Sequence, residues 1–95
     1  MLAAHTDEAH AFQEITLNEG TTTIGSAESN VMVLKSQGVS YYHAMIITLN
    51  KISYIHDVGG LSGVYVNGKS VQYQVLRCGD RVNIGHFCFK VSNIQ

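Results

Sequence analysis

The chain has 95 residues, with six basic and seven acidic side chains, nine glycines and neither proline nor tryptophan. That length supports one hydrophobic core rather than two. A formal net charge of −1 without a basic cluster excludes a surface built to neutralise a nucleic-acid backbone, and no apolar run is long enough to cross a bilayer.

The opening M-L-A-A-H-T-D-E-A-H meets Asp7 and Glu8 before any hydrophobic region forms, which is not how a signal peptide reads. Residues 1–9 are expected to be a flexible N-terminal arm and 10–95 the folded domain. Its weak helical window, Ala3 to Phe12, is the best the chain offers. From Ala11 to Leu17 apolar and polar residues alternate, and Asn18-Glu19-Gly20 turns the chain. Thr21 to Ile24 is a β-branched run closed by Gly25, and Val31 to Leu34 is a short apolar one. His43 to Leu49 is apolar on both faces, as in a central sandwich strand or one covered by a partner. Asn50-Lys51 connects tightly into Ile52 to His56. After the glycine-rich D-V-G-G-L-S-G comes Val64 to Val66, then Asn67-Gly68, a dipeptide suited to a type I′ hairpin because both central residues need positive φ. Arg81 to Ile84 and Phe87 to Val91 form a last hairpin across Gly85-His86. Many short strands with turns at regular spacing predict an all-β sandwich.

Three constellations invite chemistry. Ser40, His43 and Asp57 can be written as nucleophile, base and orienting acid, but no nucleophile elbow or oxyanion signature accompanies them. Cys78, His86 and Cys88 lack a fourth ligand for zinc, so two reduced thiols are expected and no metal. G-G-L-S-G lacks the lysine and helix that make a phosphate cradle. No catalysis and no cofactor are expected.

Four pieces in register resemble the forkhead-associated (FHA) domain: T-T-T-I-G at 21–25, S-Y-Y-H-A at 40–44, D-V-G-G-L-S-G-V-Y-V-N-G-K at 57–69 and L-R-C-G-D-R-V-N-I-G at 76–85. The resemblance implies a two-sheet sandwich of about 10–11 short strands, with loops at one end forming a phosphothreonine-peptide pocket. The family's phosphate-gripping arginine falls at Ser26, its serine is retained as Ser40, and the basic residue that often follows falls at Tyr41. The later loop's threonine falls at Leu61 and its peptide-holding asparagine at Ser62. Gly25, His43, Asp57, Gly63, Asn67 and Gly68 match the structural framework, in which the histidine braces the loops. Lys35 is the basic residue nearest these loops in sequence.

A phosphate of about −1.5 to −2 charges is normally held by charge-assisted bonds, best from a guanidinium. Each is worth about 1.5–3 kcal/mol, so losing the arginine predicts a degenerate pocket and little phosphothreonine binding. The expected role is then an assembly module, a homodimer or a phosphate-independent scaffold. Only 14% of residues are charged and 45% are hydrophobic, a balance that leaves apolar surface for another protein chain. Tyr42, Met45, Ile47, Tyr65 and Tyr73 are candidate interface residues. The alternative is a weak phosphothreonine reader working through Ser26, Lys35, Ser40 and Ser62. An intracellular setting is expected, nuclear in a DNA-damage checkpoint mediator as the favoured context and cytoplasmic as the alternative. Kinesin and bacterial secretion-ring proteins are the others, and neither nucleic acid nor membrane is an expected direct partner.

Overall fold

The computed structural model describes residues 2–3 and 13–95, and their secondary structure is entirely β. Eleven strands follow in chain order: β1 Leu2–Ala3, β2 Gln13–Leu17, β3 Gly20–Gly25, β4 Met32–Val33, β5 Ala44–Leu49, β6 Ile52–Asp57, β7 Val64–Val66, β8 Lys69–Val71, β9 Tyr73–Leu76, β10 Arg81–Ile84 and β11 Phe87–Ile94. One sheet runs β1-β4-β3-β5-β6-β9 and the other β2-β11-β10-β7-β8. Of the arm expected at 1–9, Leu2 and Ala3 pair in parallel with Met32 and Val33. The rest of that arm, with His5 and His10, lies outside the described residues.

The turn chemistry explains the hairpins. Asn67 (φ 53°) and Gly68 (φ 84°) take the positive φ angles of a type I′ turn between β7 and β8. Asn50 and Lys51, at 55° and 66°, do the same between β5 and β6. The Asn67 side chain also donates to Asp80 Oδ1 at 3.0 Å and accepts the Arg81 backbone N–H at 2.9 Å, tying this hairpin to the start of β10.

Alternation then sorts side chains by face. Ile24, Ala44, Ile46, Ile55 and Leu76 point inward from the six-stranded sheet. They meet Ile15, Leu17, Val64, Val82, Ile84, Phe89 and Val91 from the other. Two hydroxyls share this interior: Thr48 and Ser53, both buried, sit opposite each other on β5 and β6 with their oxygens 2.6 Å apart.

The two outer faces differ in kind. On the five-stranded sheet, Glu14, Lys90 and Arg81 fall in one cross-strand row, and Tyr65 lies in a row with Asn83 and Cys88. The outer face across β3, β5, β6 and β9 holds Thr21, Thr23, Met45, Ile47, Leu49, Ile52, Tyr54, His56, Tyr73 and Val75, with no lysine, arginine or carboxylate. Three of the five candidate interface residues, Met45, Ile47 and Tyr73, therefore share a face. Tyr65 stands on the opposite sheet, and Tyr42 sits in a loop with its hydroxyl 3.2 Å from Ser29 Oγ.

The buried hydroxyl pair makes a prediction. Thr48→Val alone strands Ser53 Oγ in the core and should lower stability by about 1–3 kcal/mol. The double change Thr48→Val with Ser53→Ala removes both partners and should cost less than the two single changes added together, as measured by urea denaturation.

Candidate functional site

Three loops meet at one end of the sandwich: 26–31 after β3, 34–43 before β5, and 58–63 between β6 and β7. His43 organises them. Its ring is fully buried, Nδ1 accepts the Ser40 backbone N–H at 3.1 Å, and Nε2 lies 2.9 Å from Gly63 O. Because Nδ1 accepts, the ring proton must be on Nε2, which therefore donates to Gly63. The His43 main chain is held as well, its N–H donating to Ile24 O and its carbonyl accepting from Val58 N.

Two glycines are required by this packing. A Cβ on Gly60 would lie 2.0 Å from the His43 ring, and one on Gly25 would lie 2.0 Å from Tyr41 O. The close approach at Gly25 lets Ser26 N donate to Ser40 O and Ala27 N to Tyr41 O, joining the first loop to the second. Asp57 shapes the third loop, with Oδ1 accepting the N–H groups of Gly59 and Gly60 at 3.0 Å each.

Between the second and third loops lies an open depression of about 450 Å³, lined by Gly38, Val39, Ser40, Tyr41, Leu61 and Ser62. Ser40 Oγ accepts the Leu61 N–H at 3.2 Å, so its own proton stays available to a ligand. Ser62 Oγ donates to Gly38 O at 2.5 Å and keeps its lone pairs as acceptors. Leu61 is 97% exposed and Tyr41 73%, an apolar rim beside two hydroxyls.

Of the six pocket positions expected, the structure brings Ser40, Tyr41, Leu61 and Ser62 together around this depression. Ser26 is half-buried in the neighbouring loop and is not among the lining residues. Lys35 points to the surface and pairs with Glu28 at 3.2 Å. Asn30 was not anticipated: buried, it donates through Nδ2 to Ala27 O and Tyr41 O, both at 2.8 Å, clasping the first two loops. An asparagine closing the polar A-E-S-N run just before an apolar strand was the signal for that brace.

The triad arrangement dissolves in this geometry. The Asp57 carboxylate binds loop N–H groups, and His43 Nδ1 faces the Ser40 main chain. Among the described residues no three histidines, cysteines or carboxylates gather where a metal ion could sit, and Cys78 and Cys88 are free thiols.

The FHA-domain family model matches residues 22–85. The chain belongs to the FHA-domain family. Domains of this family are non-catalytic protein-interaction modules. Over 71 residues, 75% of the chain, it is 37% identical to an oxoglutarate dehydrogenase inhibitor of Corynebacterium efficiens, spanning 50% of that protein. It is equally similar to the glycogen accumulation regulator GarA of Mycobacterium tuberculosis, of which it spans 44%. The chain thus covers about half the length of these relatives. Among solved structures, it resembles the FhaA FHA domain complexed with the intracellular domain of Rv3910, with 31% identity, a TM-score of 0.70 and 74% of this chain matched to 77% of that one. It also resembles Mycobacterium tuberculosis EmbR in complex with a low-affinity phosphopeptide, at 29% identity and a TM-score of 0.73, with 80% of this chain matched to 21% of that one.

These findings correct the expected setting. The relatives are bacterial regulators rather than DNA-damage mediators, and nothing in them supports a nucleus. Among the described residues, no helix is long and apolar enough to cross a membrane. One of these neighbours, EmbR, is itself a complex with a phosphopeptide.

The brace itself can be tested. Gly60→Ala forces a methyl group into the His43 ring and should destabilise the fold by about 1–3 kcal/mol. In an amide NMR spectrum the largest displacements should fall on Ser40, Leu61 and Gly63.

Proposed function

We propose that this FHA domain is a weak phosphothreonine-peptide reader that binds at the depression between residues 38–41 and 61–62, within a regulatory protein. The carrying observation is the state of Ser40. Its oxygen is fixed by the Leu61 N–H while its proton remains unassigned, beside a loop pair locked by His43. A hydroxyl held this way is a preorganised donor for a phosphate oxygen.

Affinity follows from what stands at each position. Ser26 replaces the family's arginine, Tyr41 the basic residue after Ser40, and Ser62 the asparagine. A neutral hydrogen bond contributes about 0.5–1.5 kcal/mol where a charged one contributes about 1.5–3, so phosphate discrimination is modest. Part of the shortfall is offset by the rim, because covering a leucine as exposed as Leu61 is worth about 1.5–3 kcal/mol. Binding is therefore weak and only mildly sensitive to salt. The names of the relatives, an inhibitor and a regulator, support a role in which binding controls another protein.

The deciding experiment titrates the isotope-labelled chain with matched phosphorylated and unphosphorylated threonine peptide pools. Phosphate-dependent amide shifts are expected at Ser40, Leu61 and Ser62, and Ser40→Ala should remove them. Restoring the family residue with Ser26→Arg should tighten phosphopeptide binding about tenfold or more. Equal responses to both pools would overturn the reading.

A further inference from the structure

Five of the nine large apolar side chains exposed among the described residues stand in the three loops of the loop end: Val31, Tyr41, Tyr42, Val58 and Leu61. A single exposed leucine is ordinary on a protein surface. Leu61 differs in how it is held. Its N–H donates to Ser40 Oγ, the preceding Gly60 is pressed against the His43 ring, and Gly63 bonds both that ring and Gly60 O. A side chain 97% exposed thus stands on a backbone pinned on both sides. Tyr41 is fixed in the same way, its carbonyl accepting from Ala27 N and Asn30 Nδ2. Covering such groups orders little backbone that is not already ordered, so their contacts cost little entropy.

We infer that the peptide selected at this site carries a large aliphatic or aromatic residue beside its phosphothreonine, seated on Leu61 and Tyr41. This rests on the phosphothreonine reading and names the sequence that surrounds the phosphorylated residue. Two observations choose the occupant. The seat is continuous with the phosphate position, because Ser40 Oγ lies 3.2 Å from the Leu61 nitrogen and Tyr41 follows Ser40 in the chain. A bound strand rises about 3.3 Å per residue, so the neighbours of the phosphothreonine within about two positions pass over these side chains. The second observation is the lack of a charge to meet. The charged residues of the three loops are Glu28 and Lys35, which pair with each other, and the neighbouring Asp57 carboxylate is engaged by the third loop. A charged flanking residue would shed water here without meeting an opposite charge, whereas an apolar one gains by leaving water.

The area covered sets the strength. Fully burying a leucine or phenylalanine side chain corresponds to about 10- to 150-fold in affinity. This depression is open and covers one side of its occupant, which places the preference near the lower end, at about tenfold. Because no charge is involved, that preference should not change with salt.

The test measures fluorescence anisotropy of threonine peptides flanked on both sides by leucine, glutamine or aspartate, each made with and without the phosphate, titrated with the 95-residue chain. The phosphorylated leucine peptide should bind about tenfold tighter than the glutamine one, and the aspartate one most weakly. Leu61→Thr keeps the backbone N–H on Ser40 and should remove most of the leucine preference while phosphorylated and unphosphorylated peptides still differ. Adding Tyr41→Ser should remove the rest. Both side chains are exposed, so the thermal midpoint should hold. A leucine preference that survives both substitutions would overturn the inference. So would phosphate-dependent binding that is equal for leucine and glutamine flanks, an outcome that leaves the phosphothreonine reading standing. A leucine preference equal with and without phosphate would keep the apolar seat and overturn the phosphothreonine reading.

Discussion

A histidine ring sealed from water must find a partner for each of its two nitrogens, and the loop end of this domain is arranged around that demand. An unmet bond at His43 would cost about 1–3 kcal/mol, so Ser40 and Gly63 are drawn to the ring from opposite loops. Gly60 must be glycine because the ring occupies the space of its Cβ. Asp57 folds the third loop by accepting two of its N–H groups on one carboxylate oxygen. The position of Ser40, on which the proposed peptide recognition rests, is a by-product of satisfying an imidazole.

Much of the fold could be read from the sequence because its determinants are local. Positive-φ dipeptides at 50–51 and 67–68 mark hairpins wherever they occur between apolar runs, and alternation marks most of the central strands. What escaped was governed by distant partners. β8 and β9, at Lys69–Val71 and Tyr73–Leu76, are edge strands with little inward burial, so K-S-V-Q-Y-Q-V-L carries almost no alternation signal. β11 runs to Ile94 rather than stopping at Val91 because the ladder shifts register between Val91 and Asn93. A bulge breaks the period of two, and with it the pattern on which the boundary depends. Its parallel pairing with β2 joins residues more than seventy positions apart, which no local pattern encodes.

At the site, residue identity was legible and residue placement only partly so. Ser40, His43 and Asp57 were visible from spacing, but the same spacing also fitted a triad. The hydrogen bonds of Asp57 and His43 separate the two interpretations, since the carboxylate binds loop N–H groups rather than the ring. Lys35 lies near the loops in sequence yet is paired with Glu28 at the surface, where sequence proximity has no bearing. Asn30 was hidden because its role, bonding carbonyls of two different loops, depends on a convergence that only the folded chain produces.

The loop end and the outer sheet face are built on the same two strands. His43 precedes β5 and Asp57 ends β6, Ala44 pairs with Asp57, and the next pair outward is Met45 with His56. Such proximity invites an allosteric reading, but coupling requires an element with two arrangements that each ligand biases differently. A brace with both ring nitrogens satisfied and a glycine packed on its face has one good arrangement. That brace therefore offers no second arrangement through which the outer face could be coupled to the loop end.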